Sequence, residues 1–287
     1  MHRRTFMRVM AAGAAAGSLL PLANCRQPTP APASAAGAAA GDDAMTRLHA
    51  AFAPDSATAA MVMPARPRHI ALVAYPGMFA LDLVGPQAVW SGLMNTTVHV
   101  VGRDRAAIDA SGLTVVPDTT FTSCPHDLDV LCVPGGGEGT LAAMRDPAVL
   151  AFVRERAATA RYVTSVCTGA LVLGAAGLLQ GYRATTHWVA HEVLAHFGAE
   201  PTRARVVEDR NRITAAGVSA GIDFALVVAA RLAGEAYARG LQLNVEYDPA
   251  PPFDAGTPET AGAAITEALR GMYAPLVAGM AAVPAPV

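Results

Sequence analysis

Among the residues whose type and spacing could do chemistry, Cys167 stands first. It sits in Ser165-Val166-Cys167-Thr168-Gly169, the thiol counterpart of a G-x-S-x-G elbow, with a small residue two positions to either side. A nucleophile on a sharp strand-to-helix turn has backbone close on both flanks, so bulk at 165 or 169 would collide with it. The β-type run 162–164 before it and the apolar run 170–179 after it provide the strand and the helix. Unpaired N–H groups at a helix start favour an anion, so the position predicts a Cys167 thiolate accessible near neutral pH, below the roughly 8.5 of free cysteine. The competing reading is a buried structural cysteine, because free cysteine is among the most buried residue types. Spacing alone leaves the two readings level.

Around an open α/β sheet the site lies beyond the carboxyl ends of the strands. Three such ends carry candidates: Asp82, the loop Gly135-Gly136-Gly137, and Cys167 itself. Glycines after a strand let backbone N–H groups approach a ligand and act as an oxyanion-type hole, or they make a tight turn. Asp82 reads either as a helix cap or as a carboxylate facing the thiol. Gly135-Gly136-Gly137-Glu138-Gly139 follows the third strand without dinucleotide spacing. His191-Glu192 followed by His196 misses the H-E-x-x-H spacing of a zinc helix by one residue, so no metal site is expected. His187 is a candidate neighbour of the thiol. Cys132 in an apolar strand and Cys124 in a loop read as packing residues.

These groups need a scaffold, and the chain is long enough to build one. Its 287 residues can bury one sizeable domain with appended segments. Apolar residues make up 53% and charged residues 15%, and alanine supplies much of the excess, which signals helix more than membrane. A net charge of −2 leaves no electrostatic footprint for nucleic acid. Of four cysteines, Cys25 falls in the leader, and the odd three remaining are no disulfide framework.

Residues 1–27 read as a twin-arginine signal peptide: Arg3-Arg4-Thr5-Phe6-Met7-Arg8 precedes a short, weakly apolar stretch. Export to the periplasm is expected. Leu22-Ala23-Asn24-Cys25 is close to a lipobox, with Asn24 a poor fit, so a lipid anchor at Cys25 and plain cleavage both stand open. Residues 28–67 form an Ala/Pro-rich linker with one short amphipathic helix carrying Met45, Leu48 and Phe52.

The folded domain spans 68–250. Strands are expected over 69–75, 97–102 and 128–134, a hairpin or two short strands over 108–121, and a hairpin over 204–215. Helices are expected over 81–93, 140–144, 147–160 and 189–197, with a long one from the N-cap Ser219 to about 236. Residues 251–287 form a tail with a weak helix over 261–272. Alternating β and α elements argue for a mostly parallel sheet covered on both faces.

The elbow SVCTGALVLGAAGLLQGYRATTHW, the strand end VPGGG, LDLVGP and GVSAGIDFAL together resemble the ThiJ/PfpI superfamily, of class I glutamine amidotransferase-like fold. Within it they are most similar to isonitrile hydratases, reinforced by LQLNVEYDPAPPFDAGTPET. The resemblance covers residues 68–260. It implies a flavodoxin-like three-layer sandwich, a homodimer, and no metal or organic cofactor. It also implies that Cys167 attacks the isonitrile carbon assisted by Asp82 and Thr168, with backbone donors at Gly136 and Thr168 and substrate contacts at Gly137 and His187. Gln87 stands where relatives often carry Glu, and the export leader differs from the usual cytoplasmic enzymes.

Three functions compete. The leading one is a hydro-lyase that turns an isonitrile into an N-substituted formamide through a Cys167 thioimidate. A glyoxalase- or deglycase-like enzyme acting on reactive carbonyls is the second, and a periplasmic ligand-binding or thiol-sensing domain the third. The aspartate in LDLVGP favours the first.

Overall fold

The computed structural model describes residues 47, 50–52 and 55–286. The expected signal peptide, Cys25 and much of the linker lie outside the described residues. Helix α1 (Ser56–Val62) starts where the Asp55 carboxylate accepts from the Thr58 N–H at 2.8 Å. Just before it, the Phe52 ring meets Tyr237 edge-on at 5.3 Å.

The frame is a sheet laid down by apolar runs too short for helices and apolar on both faces. β1 (Arg68–Val73) leads through a turn into α2 (Ala80–Trp90), and β2 (Thr96–Gly102) follows. β3 (Ile108–Ala110) and β4 (Leu113–Val115) make the expected hairpin, with Ser111 and Gly112 both at positive φ in its turn. β5 (Thr119–Thr120), β6 (Val130–Val133), α3 (Glu138–Arg145), α4 (Pro147–Ala157), β7 (Tyr162–Ser165) and α5 (Gly169–Ala175) come next. Then follow β8 (Arg183–Ala184), a 3₁₀ turn (Trp188–Ala190), α6 (Val193–His196), β9 (Glu200–Pro201), β10 (Val206–Asp209) and β11 (Arg212–Ala215). The chain closes with α7 (Ala220–Ala233), α8 (Glu235–Asn244), α9 (Pro258–Ala261) and α10 (Ala263–Ala281).

Seven strands form one sheet in the order β10-β11-β7-β6-β1-β2-β5, parallel throughout except at the β10–β11 hairpin. Its two central strands are sealed: residues 70–73 of β1 and every residue of β6 are fully buried. α2 and α7 pack together on one face, where the Trp90 and Phe224 rings meet edge-on at 5.5 Å and the Trp90 Nε1–H donates to the Ala225 carbonyl. α3, α4 and α5 group on the other face. This is the expected mostly parallel α/β sandwich.

Some expected elements differ. Ser219 occupies the N-cap position of α7 without a capping bond; its φ of −70° and ψ of −19° are already helical. The long helix ends at Ala233 because Gly234, at φ +88°, turns the chain and starts α8. The helix expected over 189–197 is divided into the 3₁₀ turn and α6. The weak C-terminal helix is instead the 19-residue α10, with Pro275 inside it. An interior proline loses its N–H and crowds the residue four back, and that residue here is Gly271. Among the described residues, no helix is long and apolar enough to cross a membrane.

Candidate active site

The carboxyl ends of β1, β6, β7 and β11 converge on Cys167. Its φ is +55°, the left-handed region that a side chain with a Cβ enters only under strain, as an elbow nucleophile does. The turn is held from three sides. The Cys167 N–H donates to the Ala215 carbonyl at 3.2 Å, and the Val166 N–H to the Val133 carbonyl at 3.1 Å. The Cys167 carbonyl accepts from the Thr186 hydroxyl at 2.7 Å. A Cβ on Gly169 would lie 2.7 Å from the Pro134 oxygen and closer still to that of Val133. The small residue expected at 169 is therefore required by the β6 backbone passing beneath it.

Asp82 sits in the first turn of α2 and has no solvent exposure. Its Oδ2 accepts the Gly135 N–H at 2.9 Å, which joins α2 to the glycine loop. Oδ1 is buried without a regular hydrogen bond in the resting site, and the group coupled to this carboxyl is the Cys167 thiol. Burial pushes the Asp82 carboxyl from 3.8 up to about 7, against the opposing pull of the Gly135 N–H and the thiol. The capping reading of Asp82 thus yields to that of a carboxyl facing the thiol.

Thr168 ties the glycine loop to the elbow. Its hydroxyl donates to the Gly136 carbonyl at 2.8 Å and accepts the Gly136 N–H at 3.1 Å. With that proton committed, the Thr140 hydroxyl is the donor in its 2.9 Å bond to Thr168 Oγ1. A Cβ on Gly135 would fall 2.7 Å from Thr168 Oγ1 and 2.9 Å from the Cys167 Cβ, so glycine is what allows the loop to approach.

Two sequence expectations are corrected here. The helix start does not lower the Cys167 thiol. Burial raises it well above its ordinary value, the Asp82 charge adds to that, and the Thr168 N–H only partly opposes. Nor is the Gly136 N–H an open oxyanion donor, since the Thr168 hydroxyl occupies it. Gly137 lies at the rim as the residue preceding α3. His187 also stands at the rim, one residue beyond Thr186. Its pKa is lowered by burial alone, which keeps the ring neutral at pH 7 with no charge coupling to the thiol.

Cys132 is sealed inside β6, where burial pushes its thiol up to about 12, and burial also raises Cys124. Both are packing residues. His191 is buried, His196 meets the Val283 carbonyl at 2.8 Å, and the described residues hold no cluster of three or more metal-ligating side chains. Sequence reasoning missed Thr140 and Thr186. Each is an ordinary threonine in the sequence, and only the fold places one under Thr168 and the other on the Cys167 carbonyl.

The arrangement can hold a proton on a buried carboxyl beside a thiol and deliver both to one small electrophile. A family model described as the DJ-1/PfpI family matches residues 68–231. The isonitrile hydratase of Pseudomonas putida is 52% identical over 208 residues, covering 72% of this chain and 90% of that protein. A deglycase of Pyrococcus horikoshii is 29% identical over 119 residues, 41% of this chain and 71% of its own. The crystal structure of a THiJ/PfpI family protein from Pseudomonas syringae superposes with a TM-score of 0.75 at 47% identity, covering 82% of this chain and 98% of that one.

Proposed function

The chain belongs to the DJ-1/PfpI family, and we propose that it is an isonitrile hydratase-like lyase that converts an isonitrile and water into an N-substituted formamide. The observation that carries this reading is the buried Asp82 carboxyl, poised at about 7 and coupled to the Cys167 thiol. An isonitrile carbon needs a proton and a nucleophile at the same atom, and this pair holds both.

The reaction begins with one proton shared between Cys167 and Asp82. The isonitrile carbon takes that proton from Asp82 as the Cys167 sulfur bonds to the same carbon, giving a thioimidate, R–N=CH–S, and an Asp82 carboxylate. Asp82 then removes a proton from water as the oxygen adds to that carbon, and the proton passes to nitrogen. Loss of the hydroxyl proton to Asp82 forms the formamide C=O and breaks the C–S bond. The released sulfur and the Asp82 carboxyl then share one proton again, as at the start. Thr168 orients the reacting groups through its N–H toward sulfur and its hydroxyl on the glycine loop.

This route passes through a neutral hydroxyl adduct. Thiol attack on a carbonyl instead builds an oxyanion that needs free donors. In this site the Gly135 and Gly136 N–H groups are engaged by Asp82 and Thr168, which favours the isonitrile over the reactive carbonyl. Incubating the mature protein with a panel of isonitriles and, in parallel, methylglyoxal tests the choice. Formamide formation that vanishes in Cys167→Ala is the expected result, whereas methylglyoxal consumption without any formamide would overturn it.

Export and assembly complete the proposal. The Arg3-Arg4-Thr5-Phe6-Met7-Arg8 segment supports twin-arginine export to the periplasm. An Arg3→Lys, Arg4→Lys variant should stay in the cytoplasm, and the mass of the mature N-terminus decides between acylation at Cys25 and plain cleavage. A homodimer is supported by exposed Ile265, Leu269 and Met272, which recur at helical spacing along one side of α10. Light scattering of the mature protein measures it.

A further inference from the structure

The two loops that position Cys167 are spanned by a third element, α10. On one side, the Gly135-Gly136-Gly137 loop bonds Asp82 and Thr168 directly. On the other, Thr186 holds the Cys167 carbonyl and leads into His187 and Trp188. α10 reaches both. Leu276 Cδ2 would lie 3.8 Å from a Cβ on Gly137, the Tyr273 and His187 rings meet edge-on at 6.3 Å, and the Arg270 guanidinium lies 5.9 Å from the Trp188 ring centroid. Tyr273 and Leu276 are three residues apart and so share a helix face.

The C-terminal half of α10 is fixed to the domain. Arg145 donates to the Gly279 carbonyl at 3.2 Å, Gly279 lies against Leu141, and Met280 is buried. Just beyond the helix, His196 meets the Val283 carbonyl. The middle of the helix is therefore held as a bridge between the two rims, and Cys167 and Asp82 are almost wholly sealed.

We infer that Tyr273 and Leu276 are specificity-determining residues that roof the reactive thiol and set the size of substrate R group admitted to it. The wall they make with the neutral His187 ring is aromatic and aliphatic, so the matching substrate class carries a compact apolar R group. This rests on the isonitrile reading for the reaction but not for the roof, and the test separates the two.

Wild type, Tyr273→Ala, Leu276→Ala and Leu276→Trp are each assayed with ethyl and cyclohexyl isonitrile. The same four proteins are alkylated with iodoacetamide and with N-phenylmaleimide, and the rate at Cys167 is read by peptide mass spectrometry. The two alanine variants should raise the bulky-to-small ratio by about tenfold in both assays, and Leu276→Trp should lower it, because adding or removing a few methylenes in an apolar wall discriminates by such factors. Circular dichroism confirms that each variant is folded; both substituted positions are only half-buried in the native helix. Alkylation ratios that stay within twofold of wild type in folded variants would overturn the roof. Alkylation ratios that move as expected while wild type hydrates no isonitrile would support the roof and overturn only the reaction assignment.

Discussion

Replacing Asp82 by asparagine should stabilise the protein and disable it, and the structure fixes the pH at which each effect shows. The carboxyl is held at about 7 in the folded chain against 3.8 for an ordinary aspartate, with burial as the main cause. A raised carboxyl favours the folded state below its unfolded value and loses that advantage as pH climbs through its folded value. Wild type should therefore lose stability relative to Asp82→Asn between about pH 4 and about pH 7, and the difference should level off above that. The displacement from 3.8 to about 7 corresponds to about 4 kcal/mol at the plateau, as an upper figure. Asparagine keeps an oxygen for the Gly135 N–H, so the link from α2 to the glycine loop survives.

Turnover should nevertheless fall by on the order of a hundredfold or more, the usual loss for a general acid–base. The thiol should respond in the opposite sense. The Asp82 charge is one of the groups that raises the Cys167 pKa, so its removal should speed alkylation at neutral pH. Urea unfolding at intervals from about pH 4 to about pH 9 measures the first effect, formamide production the second, and iodoacetamide kinetics the third. A stability difference independent of pH would refute the buried, raised carboxyl. Slower alkylation in Asp82→Asn would refute its electrostatic hold on the thiol.

Gly169→Ala should destabilise the fold by about 3 kcal/mol, because the new Cβ meets the fixed carbonyls of Val133 and Pro134; thermal unfolding checks this. Thr186→Val leaves the buried Cys167 carbonyl without its hydroxyl donor, and should cost about 1–3 kcal/mol with a fall in kcat larger than any change in KM. Thr168→Val removes the hydroxyl that both donates to and accepts from Gly136, and steady-state kinetics should show a loss that Thr168→Ser largely restores.

Much of this architecture is legible in the chain itself. Short apolar runs closed by turn residues locate the central strands, and Asp209-Arg210-Asn211 places the β10–β11 hairpin. Small residues around Cys167 announce the elbow, and at Gly169 the β6 backbone leaves room for nothing larger. These features are local, so periodicity and residue size suffice to read them. The electrostatics are not local. Helix position predicts an acidic thiol, yet burial in the folded domain and the Asp82 carboxyl, 85 positions earlier in the chain, raise it. The Gly136 N–H could face a ligand on sequence alone; the Thr168 hydroxyl, brought beside it by β6–β7 pairing, takes it instead. Thr140 and Thr186 carry no signal of their own, because a hydroxyl gains its role only from the group set next to it. α10 was legible merely as a weak helix, its alanines and Pro275 saying little about a destination. Packing against α3, α6 and the 3₁₀ turn decided that it lies across both rims of the thiol site, since an amphipathic helix finds its place only when a complementary apolar surface has already formed.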